Sequence, residues 1–368
     1  MRPLLLLIVL GLGLASAGCT APPAGTGPAP VPTAQVTAAP SGPPAATSPG
    51  ITAPPAPVGS VASTPTPTYT AGRGTLWVSV LDIGQGDALL VQTPAGRTML
   101  VDAGDADAGW EVVTALRERD TGVLDAAVAT HPHADHIGGF RAVFARFPVG
   151  RFYDAGYPST SATYEEILTM IEEQDYRYST PTRGETIDLD PAIRVDVLSP
   201  DGQNAGEIHD NMLVLRLTYG RTSFLLAGDM SADLERELVS SGAEVDSTVL
   251  KVAHHGSRSS STTAFLEAVD PEVAVISVGT GNPYGHPTGE VLLRLTAVGS
   301  KVFQTDQSGT VTVSSDGTRV TVATERSAPS VPPLALPTLA AQTVTPVPTV
   351  PRGPVRSRSR RSTSGARP

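Results

Sequence analysis

Apolar residues enter this chain in short bursts, and the spacing inside each burst predicts an element. Residues 76–81, 88–93 and 98–101 are aliphatic runs of strand length, the last two joined by the turn Pro94-Ala95-Gly96. Residues 111–119 have helical spacing, and a strand over 126–130 follows them. Gly138-Gly139 then precedes a helix carrying Phe140, Val143 and Phe144 on one face, and another helix spans 164–174. The second half repeats the style. Strands fit 194–198, 212–218 and 222–226, and Ser231 caps a helix bearing Leu234 and Leu238. Strands over 248–252 and 273–278 and a helix from about Thr288 complete it. Short strands and turns, followed by strands alternating with helices, predict an α/β fold. Two such halves face to face with helices outside give a four-layered αβ/βα sandwich, one domain over residues 74–325.

The ends change the picture. Arg2 followed by the apolar run 4–14 reads as the charged and hydrophobic regions of an export signal over residues 1–19, too short for a membrane span. Ala15-Ser16-Ala17 suits ordinary cleavage before Gly18, whereas Cys19 stands where a lipoprotein carries its acylated cysteine, with Ser16 in place of the usual leucine. Cys19 is the only cysteine, which excludes an intramolecular disulfide. Residues 20–73 are Ala, Pro, Thr, Ser and Gly almost throughout, and the tail from 326 repeats this before an Arg-rich end; both read as disordered tethers. The basic end at 352–367 is either a solvated tail or a contact for an anionic polymer or membrane.

Two of the 26 basic residues precede residue 74 and seven follow 325, while all 36 acids lie between, so the middle carries a formal net charge of −19. Such a domain does not attract nucleic acid by its own charge, because a phosphate backbone is met with clustered Lys and Arg. Metal ions would have to receive an anionic substrate. The run His131-Pro132-His133-Ala134-Asp135-His136-Ile137-Gly138-Gly139 supplies a reason to expect them. Neutral imidazoles and one carboxylate packed this closely attract a divalent cation, and burying them without one would leave several polar atoms unpaired. All seven histidines (131, 133, 136, 209, 254, 255 and 286) fall in the middle domain at predicted loop mouths. Two ions about 3.5–4 Å apart, sharing a carboxylate, are the arrangement used in phosphoester hydrolysis. Without a thiolate the natural candidates are two Zn or two Mn ions.

At this point the residues resemble the metallo-β-lactamase fold, whose H-x-H-x-D-H motif is met in full by His131, His133, Asp135 and His136. Further stretches are similar to the hydrolase domain of the ComEC/Rec2 competence proteins. These are Leu81-Asp82-Ile83-Gly84-Gln85-Gly86-Asp87, Val101-Asp102-Ala103-Gly104, Leu226-Ala227-Gly228-Asp229, Lys251-Val252-Ala253-His254-His255-Gly256-Ser257 and Tyr284-Gly285-His286-Pro287. The likeness spans residues 76–315. It implies that Asp229 bridges the ions and that His255 is the last ligand of the second, with His254 behind it or exchanging roles with it. It also implies that Asp102 orients the histidine loop, and that Asp135 and His286 serve catalysis, His286 as general acid or phosphate ligand. The family commonly has an Asn-rich run ending in serine where this chain has His209-Asp210-Asn211-Met212; His209 completes the first metal site, or Asn211 lines it. Asp82 and Asp87 either cap turns or stand at the site's edge, and Arg221 and Arg258 either contact phosphate or are solvated loop charges.

The implied activity is metal-dependent hydrolysis of a phosphodiester, DNA being the particular candidate because competence proteins handle it. This chain contains no segment that would supply their membrane channel, so DNA uptake does not follow. The competing readings are a phosphocholine esterase, lactonase or β-lactamase-like enzyme of the envelope and, from another class, an inactive envelope-binding module. Exported, the protein would be secreted or held on the outer face of the membrane through Cys19.

Overall fold

In the computed structural model, which describes residues 74–203 and 206–326, each half of the chain builds one sheet in the same manner. Strands β1 (Leu76–Val80), β2 (Leu89–Gln92) and β3 (Thr98–Val101) run antiparallel, after which β4 (Ala126–Ala129), β5 (Arg151–Asp154) and β6 (Arg177–Ser179) add on in parallel. The hairpin β13 (Val311–Ser315) and β14 (Val320–Thr324) extends this sheet beyond β1 to eight strands. The second sheet starts with antiparallel β7 (Arg194–Ser199), β8 (Val214–Tyr219) and β9 (Thr222–Leu226). Parallel β10 (Val249–Lys251), β11 (Val273–Ile276) and β12 (Lys301–Gln304) complete its six strands.

Alternation along the strands explains how the layers form. Leu89, Val91, Met99, Val101, Ala126 and Val128 turn towards Leu215, Leu217, Phe224, Leu226, Val249 and Val275 of the other sheet, making the central core. Their neighbours Leu90, Leu100 and Ala127 turn outward onto α1 (Gly109–Glu118), α3 (Phe140–Phe144) and α4 (Ala162–Glu173), through Val112, Leu116, Phe140 and Ile167. In the second sheet Leu225, Leu250, Ala274 and Ile276 turn outward onto α5 (Ala232–Ser241), α6 (Thr263–Val269) and α7 (Gly289–Ala297). Strands covered on both faces need continuous apolar runs, and AAVA in β4 and VAVI in β11 are of that kind. Each fully buried Leu or Phe contributes about 1.5–3 kcal/mol. The expected four-layered αβ/βα sandwich is the one observed.

The strands that the apolar pattern does not announce are short or lie at edges. β5 and β6 open on Arg151 and Arg177 and span four and three residues. β14 alternates half-buried Val320, Val322 and Thr324 with exposed Thr321 and Ala323 at a sheet edge. The leader over 1–19 with Cys19, the linker over 20–73 and the tail beyond Arg326 lie outside the described residues. Arg326 itself forms an ion pair with Asp82. Among the described residues no helix is long and apolar enough to cross a membrane.

Because β3 and β4 run parallel in one sheet, and β9, β10 and β11 in the other, their carboxyl ends gather loops from both halves. Asp102 follows β3, His131 follows β4, Asp229 follows β9, and His254 and His255 follow β10.

Candidate metal centre

One buried carboxylate organises the histidine loop. Thr130 N–H donates to Asp102 Oδ1 at 2.8 Å and Thr130 Oγ1–H to Oδ2 at 2.7 Å. With that hydroxyl proton committed, His131 Nδ1, 3.0 Å from Thr130 Oγ1, is the donor of their contact, and its Nε2 carries the lone pair that faces His133. His136 Nδ1–H likewise donates to Asp102 Oδ2 at 2.8 Å, turning Nε2 towards Asp229 Oδ2. Asp102 is fully buried and sits in the left-handed region at φ 57°. Burial pushes its carboxyl up from the ordinary value, and His136 beside it opposes that shift.

Two groups of donors face each other across Asp229. In the first, His131 Nε2 is 3.0 Å from His133 Nδ1, and the His209 ring lies 5.4 and 5.0 Å from the His131 and His133 rings. One ligand atom from each of these three falls within 4.8 Å of the others, and the same holds for Asp135, His136 and His255. The helix α2 (Ala134–Ile137) aims Asp135 and His136 at this second group, while His131 and His133 precede it. Asp229 Oδ2 stands between, 3.3 Å from His136 Nε2, 3.5 Å from His255 Nε2 and 3.9 Å from His254 Nε2. His255 Nε2 is also 3.6 Å from Asp135 Oδ2.

His254 groups instead with His209 and Asp229. The division between the two neighbours comes from backbone that only a constrained site retains. Both residues are left-handed, at φ 50° and 52°, which costs non-glycine residues roughly 1–2 kcal/mol each. Hydrogen bonds from His254 N–H to Gly228 O (3.0 Å) and from Ser257 N–H to His254 O (2.8 Å) hold the turn. Asn211 is buried with its Nδ2–H donating to Glu207 O at 2.8 Å, so it braces the loop that carries His209. His286 lies 5.9 Å from the His254 ring and is fixed by Asn282, whose Oδ1 accepts from His286 N–H at 3.0 Å and whose Nδ2–H donates to His286 O at 2.7 Å.

The electrostatics separate the histidines into two kinds. Burial holds His131 well below its usual range, lowers His133 and His254, and brings His209 down to about 4. Burial would depress His136 and His255 too, but Asp229 and neighbouring carboxylates overcome it, raising His136 well above 6.5 and His255 to about 9. Burial likewise opposes the ionisation of Asp229 and Asp135; His255 and His136 reverse this, holding Asp229 well below its ordinary value and Asp135 at about 2. His136 Nε2, His209 Nε2, His255 Nε2 and Asp229 Oδ1 are buried without a hydrogen-bond partner. Buried polar atoms are nearly always satisfied, and four orphans on side chains gathered about Asp229 are the signature of a cation site. The donor set, imidazoles and carboxylates without thiolate, fits divalent ions such as Zn or Mn.

Three supporting residues escape a reading of the sequence. Thr130 relays Asp102 to His131, and Ser277 O accepts from His255 Nδ1–H at 3.0 Å. Lys251, buried at the end of an apolar strand, pairs with Asp87 at 2.5 Å. A lone charge inside Val249-Leu250-Lys251-Val252-Ala253 is the signal that could have found it. Asp82 turns away from the centre towards Arg326, Arg221 occupies the turn at the far end of β9, and Arg258 is exposed on the loop after His255.

The metallo-beta-lactamase superfamily pattern matches residues 81–280. ComE operon protein 3 of Bacillus subtilis is 30% identical over 252 residues, which are 64% of this chain and 32% of that protein. Competence protein ComA of Neisseria gonorrhoeae is 36% identical over 234 residues, 63% of this chain and 31% of its own. The chain thus spans about a third of the length of these relatives. Among solved structures, Zn(2+)-bound PqqB from Methylobacterium extorquens aligns with 62% of this chain and 97% of its own, at 11% identity and a TM-score of 0.42. With H-x-H-x-D-H converging on Asp229 and His255 between two helix-covered sheets, the chain belongs to the metallo-beta-lactamase superfamily and is homologous there to the competence proteins.

Proposed function

We propose that residues 74–325 are an exported, surface-tethered hydrolase domain that holds two divalent ions and cleaves phosphodiesters, DNA being the particular candidate, with Cys19 as a membrane anchor. The observation that carries this reading is the pair of donor groups, His131/His133/His209 and Asp135/His136/His255, with Asp229 between them. When bound, two divalent ions supply positive charge and an acidified water. That charge matters on a domain of net −19, whose overall charge opposes the approach of an anionic ester.

The chain's own residues do the rest. Asp102 fixes the His136 and His131 tautomers so that each presents Nε2. In the hydrolytic step a water oxygen bonds to phosphorus, the ester P–O bond breaks, and a proton passes to the leaving oxygen. His286, on its Asn282-braced loop, is placed to hydrogen-bond a phosphate or leaving oxygen. Burial lowers its pKa, which keeps the ring neutral at pH 7 and favours hydrogen-bond donation over a stored proton.

The test is a substrate screen on purified protein with Mn or Zn: bis(p-nitrophenyl) phosphate and single-stranded DNA against nitrocefin, with Asp135→Ala as control. Metal-dependent phosphodiester cleavage abolished in Asp135→Ala supports the reading. Turnover of nitrocefin alone would move the substrate to a β-lactam, and no turnover under either metal sinks it.

A further inference from the structure

Beneath the second donor group lies a buried ion pair, whose carboxylate also comes within 4.8 Å of ligand atoms of Asp102 and His136. Lys251 Nζ is 2.5 Å from Asp87 Oδ2, and both side chains are 1% exposed. Lys251 ends β10 in the six-stranded sheet, whereas Asp87 precedes β2 in the eight-stranded one, so the pair crosses from one sheet to the other. Lys251 Nζ also donates to Val252 O at 3.0 Å.

Stability alone is a poor reason for such a pair. Withdrawing each charge from water costs several kcal/mol, and apolar residues of the same volume are often as stabilising or more so. Its position offers another. Asp87 N–H donates to Asp135 O at 3.2 Å, and Asp87 Oδ1 lies 3.5 Å from His255 Nδ1. Asp135 and His255 stand on opposite sheets and meet at Nε2 and Oδ2, 3.6 Å apart. Asp87 therefore contacts two of the three members of one donor group, from behind, while Lys251 anchors it to the strand that delivers His255. The loop is seated tightly at this point. A Cβ on Gly86 would fall 2.2 Å from Asp135 O, and Ser277 Oγ–H donates to Gly86 O at 2.6 Å while Ser277 O receives His255 Nδ1–H.

We propose that the Asp87–Lys251 pair is an intersheet clasp that sets the spacing of Asp135 and His255 and thereby the affinity for the second of the two ions. These are positioning residues, and the inference rests on the two-ion reading above. Replacing Lys251 alone would leave a buried unpaired carboxylate, so the decisive variants change both partners. Asp87→Leu/Lys251→Met substitutes an apolar pair of similar total volume; Asp87→Asn/Lys251→Gln keeps a neutral hydrogen bond.

The experiment titrates the full metal-free chain with Co(II) followed by its visible absorption, and with Zn by calorimetry, alongside thermal unfolding. The wild type should take two ions. The apolar pair should unfold at the wild-type temperature or above and keep the first-ion affinity. It should bind the second ion about 10–100-fold more weakly, with an altered second Co(II) band. The hydrogen-bonded pair should recover most of that loss. An apolar pair that binds both ions as the wild type does, or weakens both equally, overturns the clasp while leaving the two-ion reading standing. A hydrogen-bonded pair no better than the apolar one overturns it as well. A wild type that takes a single ion overturns the two-ion reading and the clasp with it.

Discussion

Removing the Asp102 carboxylate tests how the centre is held. Three buried donors end on it: Thr130 N–H (2.8 Å), Thr130 Oγ1–H (2.7 Å) and His136 Nδ1–H (2.8 Å). Each buried donor left unpaired costs about 1–3 kcal/mol, so Asp102→Ala should lose at least about 3 kcal/mol from this source. The left-handed backbone at φ 57° adds roughly 1 kcal/mol, because alanine tolerates it less well than Asp. Against a typical domain stability of about 5–15 kcal/mol this is severe. Asp102→Asn separates the two roles. Its shape and backbone tolerance are kept, and its amide oxygen can serve Thr130 N–H, but an NH2 group then faces the two remaining donors. We expect a loss of about 1–3 kcal/mol and about 10–100-fold weaker zinc binding, since His136 no longer has its tautomer fixed. Urea unfolding under chelation and a zinc competition titration measure the two effects. A loss below about 1 kcal/mol in Asp102→Ala, or wild-type zinc affinity in Asp102→Asn, would refute the assignment of this carboxylate as the organiser.

Gly86→Ala should be destabilised by roughly 2 kcal/mol or more in thermal unfolding, because the new Cβ would meet Asp135 O at 2.2 Å with φ at 123°. In the metal-free protein His255 at about 9 contributes stability that is complete below pH 6.5 and lost as pH rises through 9. His209 at about 4 acts in the opposite sense, stability falling as pH drops from 6.5 towards 4, so urea midpoints should peak near neutrality. Loading with zinc at pH 7.5 should release protons from His136 and His255, read by calorimetry in buffers of different ionisation enthalpy; zero release contradicts their raised values. Zinc at a thousand times its dissociation constant should add about 4 kcal/mol, raising the melting temperature by about 8–16 °C, and unchanged melting after chelation would argue against a cation at the four orphaned atoms.

What the sequence reveals about this centre follows sequence separation. His131 to His136 is visible at once because six contiguous residues carry four donors. Asp229, His255 and His286 stand apart in the chain and become visible as polar residues at strand ends, through motifs shared with relatives. Thr130 and Ser277 are not visible that way, and although Asp87 and Lys251 fall inside two of those motifs, their pairing is not. Their roles arise only when the two sheets close on each other, and a threonine or serine at a strand end has no signature of its own. The same holds for the fold. Strands such as AAVA and VAVI declare themselves by burial on both faces, whereas β5, β6 and β14 are fixed by the neighbour they pair with.

The centre's position follows from that closure. Each sheet begins antiparallel and continues parallel, so each sends its loops to one end, and packing over the central apolar core brings the two ends together. Asp102 and His131 to His136 come from one sheet, and His209, Asp229, His254 and His255 from the other; the groups His131/His133/His209 and Asp135/His136/His255 each draw on both. The spacing of the donors is therefore a property of the sheet-to-sheet interface. The same hydrophobic contacts that stabilise the fold set the distances between donors, and the left-handed turn at His254–His255 and the buried carboxylates are costs that interface offsets. Four buried atoms without a hydrogen-bond partner face this seam, and His136 and His255 carry protons there that a bound cation would displace, which ties folding stability to metal.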